Sequence, residues 1–240
     1  QINGRQSDIL ALSETVRDPL FAHTNLKQTP VDLSETVNAS TIALSDGENR
    51  GLFGAGPFFD LRALQPGRKA LGGILFDLKP PDGGKKNNVN VVMNMIDNSD
   101  GLSNSITLFS GKSAMTRIAF LHTAFIKEPT RDIQKLGSYR VEYSSGATET
   151  IDIMDNWNIT DVRSSEGLRR NAWTFLRGAD LLLGAKRVWL GSSATGIPLN
   201  LQLFIWNNPH PKKIIRSIKL NAEKEPEGTR IALLGMTFLE

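Results

Sequence analysis

Apolar and polar residues alternate with a period of two along most of this chain, and clusters of Gly, Pro, Asn and Ser interrupt the pattern at short intervals. A period of two sends successive side chains to opposite faces of a strand, so such a chain folds by pairing strands and covering one face. Gly73 to Leu78 reads as a strand, closed by Pro80-Pro81-Asp82-Gly83-Gly84, and Asn88 to Ile96 follows. Ser105 to Phe109 leads to a Gly-Lys-Ser turn, and Arg117 to Phe125 is apolar on both faces, as a buried central strand is. Tyr139 to Tyr143 and Ala147 to Ile153 flank Ser144-Ser145-Gly146, the composition of a hairpin. Ala185 to Leu190, Leu199 to Trp206, Ile214 to Leu220 and Ile231 to Leu239 complete a set of nine or ten strands. Short strands with frequent turns predict a β-sandwich or barrel.

Within that pattern, Leu199 to Pro211 marks a strand end. Leu199, Leu201, Leu203 and Ile205 alternate with Asn200, Gln202, Phe204 and Trp206, and the run then breaks into Asn207-Asn208-Pro209-His210-Pro211. The two prolines remove two backbone donors and favour extended residues before them, so the ladder stops and a polar loop begins. Loops at strand ends are where a rigid β-scaffold carries binding residues. The best helix candidate, Gln6 to Val16, is short, and Trp157 to Leu183 is the least regular stretch, expected to hold long loops. Leu12-Ser-Glu-Thr-Val16 recurs as Leu33-Ser-Glu-Thr-Val37, but two copies do not make a solenoid. Residues 1–30 read as an N-terminal extension to a domain spanning 31–240.

Composition narrows the functional classes. A net charge of +3 and scattered basic dipeptides provide no basic stripe, so no nucleic-acid partner is expected. No apolar run reaches the ~18 residues that cross a bilayer as a helix, so no membrane span is expected. The absence of cysteine rules out disulfides, thiol chemistry and cysteine-bound metals. A start at Gln1 without methionine fits a processed secreted protein and equally a trimmed chain. The sequence has no nucleophile elbow, P-loop or dinucleotide fingerprint, and its three histidines have no zinc spacing. Carboxylates for a glycosidase exist, but a sequence does not pair them, so no catalytic residue is assigned.

Several segments match, in order, one known family. They are Val31-Asp32-Leu33-Ser34, Gly54-Ala55-Gly56-Pro57 leading to Asp60-Leu61-Arg62, and Gly73 to Asp77. Phe120-Leu121-His122-Thr123-Ala124, Gly137 to Val141 with Tyr143 and Gly146, and Asn158-Ile159 with Ala172-Trp173 follow. Trp206 to Pro211 with Ile214 and Ile218, and the closing Ala232 to Thr237, end the series. On these residues the chain, from about residue 31 onward, resembles carbohydrate-binding modules of the galactose-binding-domain-like β-sandwich type. Those modules occur in secreted bacterial proteins, often attached to glycoside hydrolases. The resemblance implies an all-β jelly-roll sandwich, a secreted or cell-surface location, and a polysaccharide or other glycan as partner.

Sugar recognition needs flat aromatic faces for the C–H side of the ring and fixed polar groups for its hydroxyls. Trp157 and Trp173, in the irregular region with Asn156, Asn158, Arg170 and Asn171, are the expected stacking platform. Trp189 and Trp206 lie on apolar strands and read as structural. His122, His210, Asn208 and Arg62 are the expected polar contacts, with a satisfied core histidine as the competing reading of His122. No organic cofactor is assigned. By analogy with jelly-roll modules, a structural Ca2+ is the one metal considered, with Asp32, Asp60 and Glu240 as its ligands and Asp46 and Glu48 as further carboxylates. The function expected is non-catalytic, extracellular glycan binding, for targeting or adhesion. The alternative is a structural subunit of an extracellular assembly or filament, self-associating through the N-terminal extension.

Overall fold

The computed structural model describes residues 26–37, 39–42, 52–54, 56–78, 90–95, 104–127, 133–163, 184–223 and 228–240. The Gln6 to Val16 helix, Trp173, His23, Asp46, Glu48 and most of the 157–183 stretch lie outside the described residues. The architecture is an all-β sandwich of antiparallel sheets, as the alternation predicts.

Thirteen strands are present among the described residues: β1 (Gln28–Pro30), β2 (Ala39–Ser40), β3 (Gly67–Leu71), β4 (Ile74–Leu78), β5 (Asn90–Met95), β6 (Ser105–Ser113), β7 (Arg117–Phe125), β8 (Lys135–Tyr143), β9 (Thr148–Met154), β10 (Ala185–Ser192), β11 (Pro198–Asn207), β12 (Ile215–Ala222) and β13 (Arg230–Leu239). One sheet runs β10-β11-β7-β13-β5-β2, with β1 also on β13. β13 pairs with β7 along its length on one side; on the other it meets β5 through Arg230–Leu233 and β1 through Thr237–Leu239. The second sheet runs β6-β12-β8-β9, and β3-β4 form a separate hairpin.

Two apolar clusters explain why β7, β11 and β13 are apolar at consecutive positions. Ile118, Phe120 and Ala124 face Tyr139, Val141, Ile151, Ile218 and Leu220 of the second sheet. Ala119 and Leu121 face the other way, where Ile74, Phe76 and Leu78 of the hairpin and Leu52, Phe53 and Phe59 cover them. The large sheet is therefore buried on both sides at its centre, and its strands read as continuous apolar runs. In β13 the register shifts between Leu233 and Gly235. The extra residue moves Met236 and Phe238 onto the face already used by Ile231 and Leu233. A Cβ on Gly235 would lie 2.8 Å from the Phe76 ring, so the glycine is what lets the hairpin close onto the sheet.

The structure differs from the sequence expectation at the Gly-Lys-Ser segment. Gly111-Lys112-Ser113 is not a turn: β6 continues through it to pair Ser113 with Ile215. The glycine serves packing, since the Phe109 ring lies where a Cβ on Gly111 would be, 2.8 Å away. At the end of the expected N-terminal extension, three residues form β1 and join the sheet. Gln28–Pro30 pair with Leu239–Thr237, and the Gln28 side chain donates to the Gly73 carbonyl and accepts from the Leu75 N–H.

Candidate functional site

His122 sits at the middle of β7 with no exposed surface, stacked between Phe204 and Tyr139. Its Nε2 is 2.8 Å from the Asn158 carbonyl and its Nδ1 is 2.9 Å from the Tyr139 hydroxyl. A carbonyl only accepts, so Nε2 carries the proton and Nδ1 accepts from Tyr139. Both nitrogens are thereby satisfied with a neutral ring. Burial pushes the His122 pKa from 6.5 down to about 4, against the opposing pull of the Asn158 carbonyl. Burial also raises the Tyr139 hydroxyl well above its ordinary value, so it remains a donor. This is the satisfied core histidine, not a group lining a cleft.

What His122 supports is the turn that follows β9. Asn158 accepts from the Met154 N–H at 2.8 Å through its side-chain oxygen and donates its amide to the Asp152 carbonyl at 2.8 Å. Asn156 takes a positive φ of 61°, which asparagine tolerates better than most residues. The Trp157 carbonyl accepts from the Gly184 N–H at 2.9 Å. A Cβ on Gly184 would stand 2.7 Å from the indole nitrogen, so the backbone there passes directly beside the ring. Trp157 is nonetheless 42% exposed, on a turn pinned from below by His122 and from both flanks.

The loop after β11 is also built by its asparagine. Asn208 donates to the Met115 carbonyl at 2.8 Å, and its side-chain oxygen accepts from the Tyr143 hydroxyl at 2.6 Å and the His210 N–H at 2.9 Å. Asn208 is buried, and it ties the ends of β7, β8 and β11 together. His210 lies edge-on to Tyr143 and pairs with Glu149 at 3.2 Å. Burial, with the Glu149 charge adding to it, pushes the Tyr143 hydroxyl up to about 12.

Arg62 forks onto Asp60, with Nε at 3.0 Å and Nη2 at 2.6 Å, while its backbone N–H bonds the same carboxylate. Asp161 and Arg163 repeat this Asp-x-Arg device, and Asp161 further accepts from the Ile126 N–H. Arg163 lies over the Phe59 and Phe125 rings. The sequence shows both Asp-x-Arg pairs, but not that each carboxylate is fully buried.

The expected contacts that fall among the described residues do not share one cleft. His122 and Asn208 are interior, Arg62 is committed to Asp60, His210 is at the loop after β11, and Trp173 is outside the described residues. The carboxylates considered for calcium are likewise separate: Asp32 caps Ser34, Asp60 holds Arg62 and Glu240 pairs with Lys27. Among the described residues no group of three or more His, Cys, Asp or Glu side chains is placed to hold a metal ion. No helix among them is long and apolar enough to cross a membrane.

A surface that sequence reading missed lies on the outer face of the second sheet. Asp152, Ser138, Asn221 and Ser105 form one row across four strands; Thr150, Arg140, Lys219 and Thr107 form the next; Thr148, Glu142, Ser217 and Ser110 form the third. A cleft of about 370 Å³ opens there, lined by Ser105, Arg140, Glu142, Ser217, Lys219 and Asn221. The polar phase of each strand was visible, but the register that aligns these residues was not.

No family model matches this chain, and no curated protein or solved structure is significantly similar to it.

Proposed function

We propose that this β-sandwich is a non-catalytic glycan-binding module of an extracellular bacterial protein, acting in targeting or adhesion, with the jelly-roll, galactose-binding-domain-like class as its finer fold assignment. The observation that carries the reading is Trp157, a large aromatic ring left 42% exposed on a turn held by hydrogen bonds of Asn158 to His122, Met154 and Asp152. An exposed indole on a rigid support accepts the C–H face of a sugar ring without losing much side-chain freedom on binding. Asn156 and Thr160 flank it with polar groups suited to sugar hydroxyls. The ordered resemblance along residues 31–240 supports the same reading. Stacking on one ring with a few hydrogen bonds gives weak single-site affinity, which repeated sites on a polysaccharide amplify.

A glycan array with the intact chain, run beside Trp157→Ala and Trp157→Phe, tests this. Binding by the parent should fall at least about tenfold in the alanine variant, about 1.4 kcal/mol, with partial retention in the phenylalanine variant. Circular dichroism should show both variants folded, since the ring belongs to neither apolar cluster. Absence of binding to any glycan, or binding unchanged in Trp157→Ala, overturns the assignment.

A further inference from the structure

Arg140 of β8 and Lys219 of β12 are direct cross-strand partners on the outer face of the second sheet. Like charges set directly opposite each other destabilise a sheet. Neither side chain has an ion pair or side-chain hydrogen bond among the described residues, although carboxylates stand one row away on either side. Those carboxylates are already matched. Glu142 accepts from the Ser217 hydroxyl at 3.2 Å and pairs with Arg216 at 2.9 Å, and Asp152 pairs with Lys135 at 3.0 Å. Two adjacent cations therefore project from the floor of a cleft of about 370 Å³, near the lower end of the ~300–1,000 Å³ typical of small-ligand sites. The rest of the lining is Glu142, whose charge is offset by Arg216, and the hydroxyl and amide groups of Ser105, Ser217 and Asn221, with Ser105 donating to the Asn221 side-chain oxygen at 2.7 Å.

We infer that this cleft binds an oxyanion carried on a hydroxyl-rich frame, an acidic saccharide unit of the uronic acid class, with Arg140 and Lys219 sharing its carboxylate. A single carboxylate has two oxygens and can satisfy both cations at once, converting a repulsive pair into two charge-assisted bonds. The hydroxyls and amide below supply donors and acceptors for the ring hydroxyls, and the near absence of apolar lining excludes a lipid or aromatic ligand. None of the residues of the Trp157 turn lines this cleft, so the inference stands independently of the stacking platform.

Titration calorimetry of the intact chain with D-glucuronate, D-glucose and inorganic sulfate tests it. D-glucuronate should bind, at least about tenfold more tightly than glucose, and its affinity should fall with added salt. Arg140→Gln and Lys219→Gln should each weaken it at least about tenfold, while Trp157→Ala leaves it unchanged. Both residues are exposed, so the variants fold. Without ligand, each should melt at or above the parent's temperature at low salt, because the repulsion is gone, and each should lose the upward shift that glucuronate gives the parent. The site is overturned by no glucuronate binding up to about 10 mM, by equal binding of glucose, or by variants that bind as the parent does. Sulfate binding as tightly as glucuronate overturns the saccharide assignment, because a bare oxyanion would then suffice.

Discussion

His122 makes folding stability depend on pH in a window that the structure defines. Folded, its pKa is about 4; unfolded, it returns to 6.5. Between those values the unfolded chain binds a proton that the folded core refuses, so acid favours unfolding. The contribution is intact above about 6.5, is lost progressively as the pH falls, and levels off below about 4. The full difference of 6.5 − 4 corresponds to about 3 kcal/mol at about 1.4 kcal/mol per unit, of which about 2 kcal/mol is already gone on moving from about pH 7 to about pH 5. The cost is physical: a protonated ring would turn Nδ1 from acceptor to donor, break the bond from Tyr139, and place a charge between two aromatic rings. The assay is urea unfolding of the parent and His122→Gln at several pH values across this window. Subtracting the variant cancels the contribution of every group common to the two chains. The difference should shrink by about 2 kcal/mol between about pH 7 and about pH 5 as the parent loses its advantage. A difference that stays constant with pH refutes the buried neutral imidazole. In parallel, nitrogen NMR should find the Nε2–H tautomer at neutral pH; the Nδ1–H form would refute the direction of the hydrogen bonds.

Two further outcomes follow from packing. Asn208→Ala strands the Met115 carbonyl, the Tyr143 hydroxyl and the His210 N–H at the junction of three strands, and should cost at least about 2 kcal/mol in denaturant unfolding. A cost under about 0.5 kcal/mol would mean that water replaces all three bonds. Gly235→Ala forces a methyl group to within 2.8 Å of the Phe76 ring and should destabilise by about 1–3 kcal/mol, while the double variant Gly235→Ala with Phe76→Leu should cost less than the sum of its parts. Strict additivity would show that the two residues do not share the space.

The identity of the strands was legible in the sequence because a period of two is a local property. Arg117 to Phe125 could be read as central, since a strand covered on both faces has no polar phase. The break after Trp206 could be read from two prolines. The Gly-Lys-Ser segment misled because glycine marks turns and also marks places where a neighbour comes close; only the position of the Phe109 ring separates the two. β1 is three residues long and β2 two, too short for any periodic signal, and both owe their existence to the strand beside them.

The candidate site divides along the same line. Sequence alone determined that no cysteine chemistry operates, that the chain builds sheets, and that Trp157 lies in an irregular polar segment. It placed His122 on the same strand face as Phe120 and Ala124 but could not decide between core and cleft, because that depends on Tyr139 and Asn158, 17 and 36 residues away. It showed Arg140 and Lys219 as two unremarkable surface cations. Their opposition depends on an antiparallel register joining strands some eighty positions apart, and on bulges in β12 that no local pattern encodes. Periodicity sets which face a side chain occupies; only long-range pairing sets which side chain stands beside it.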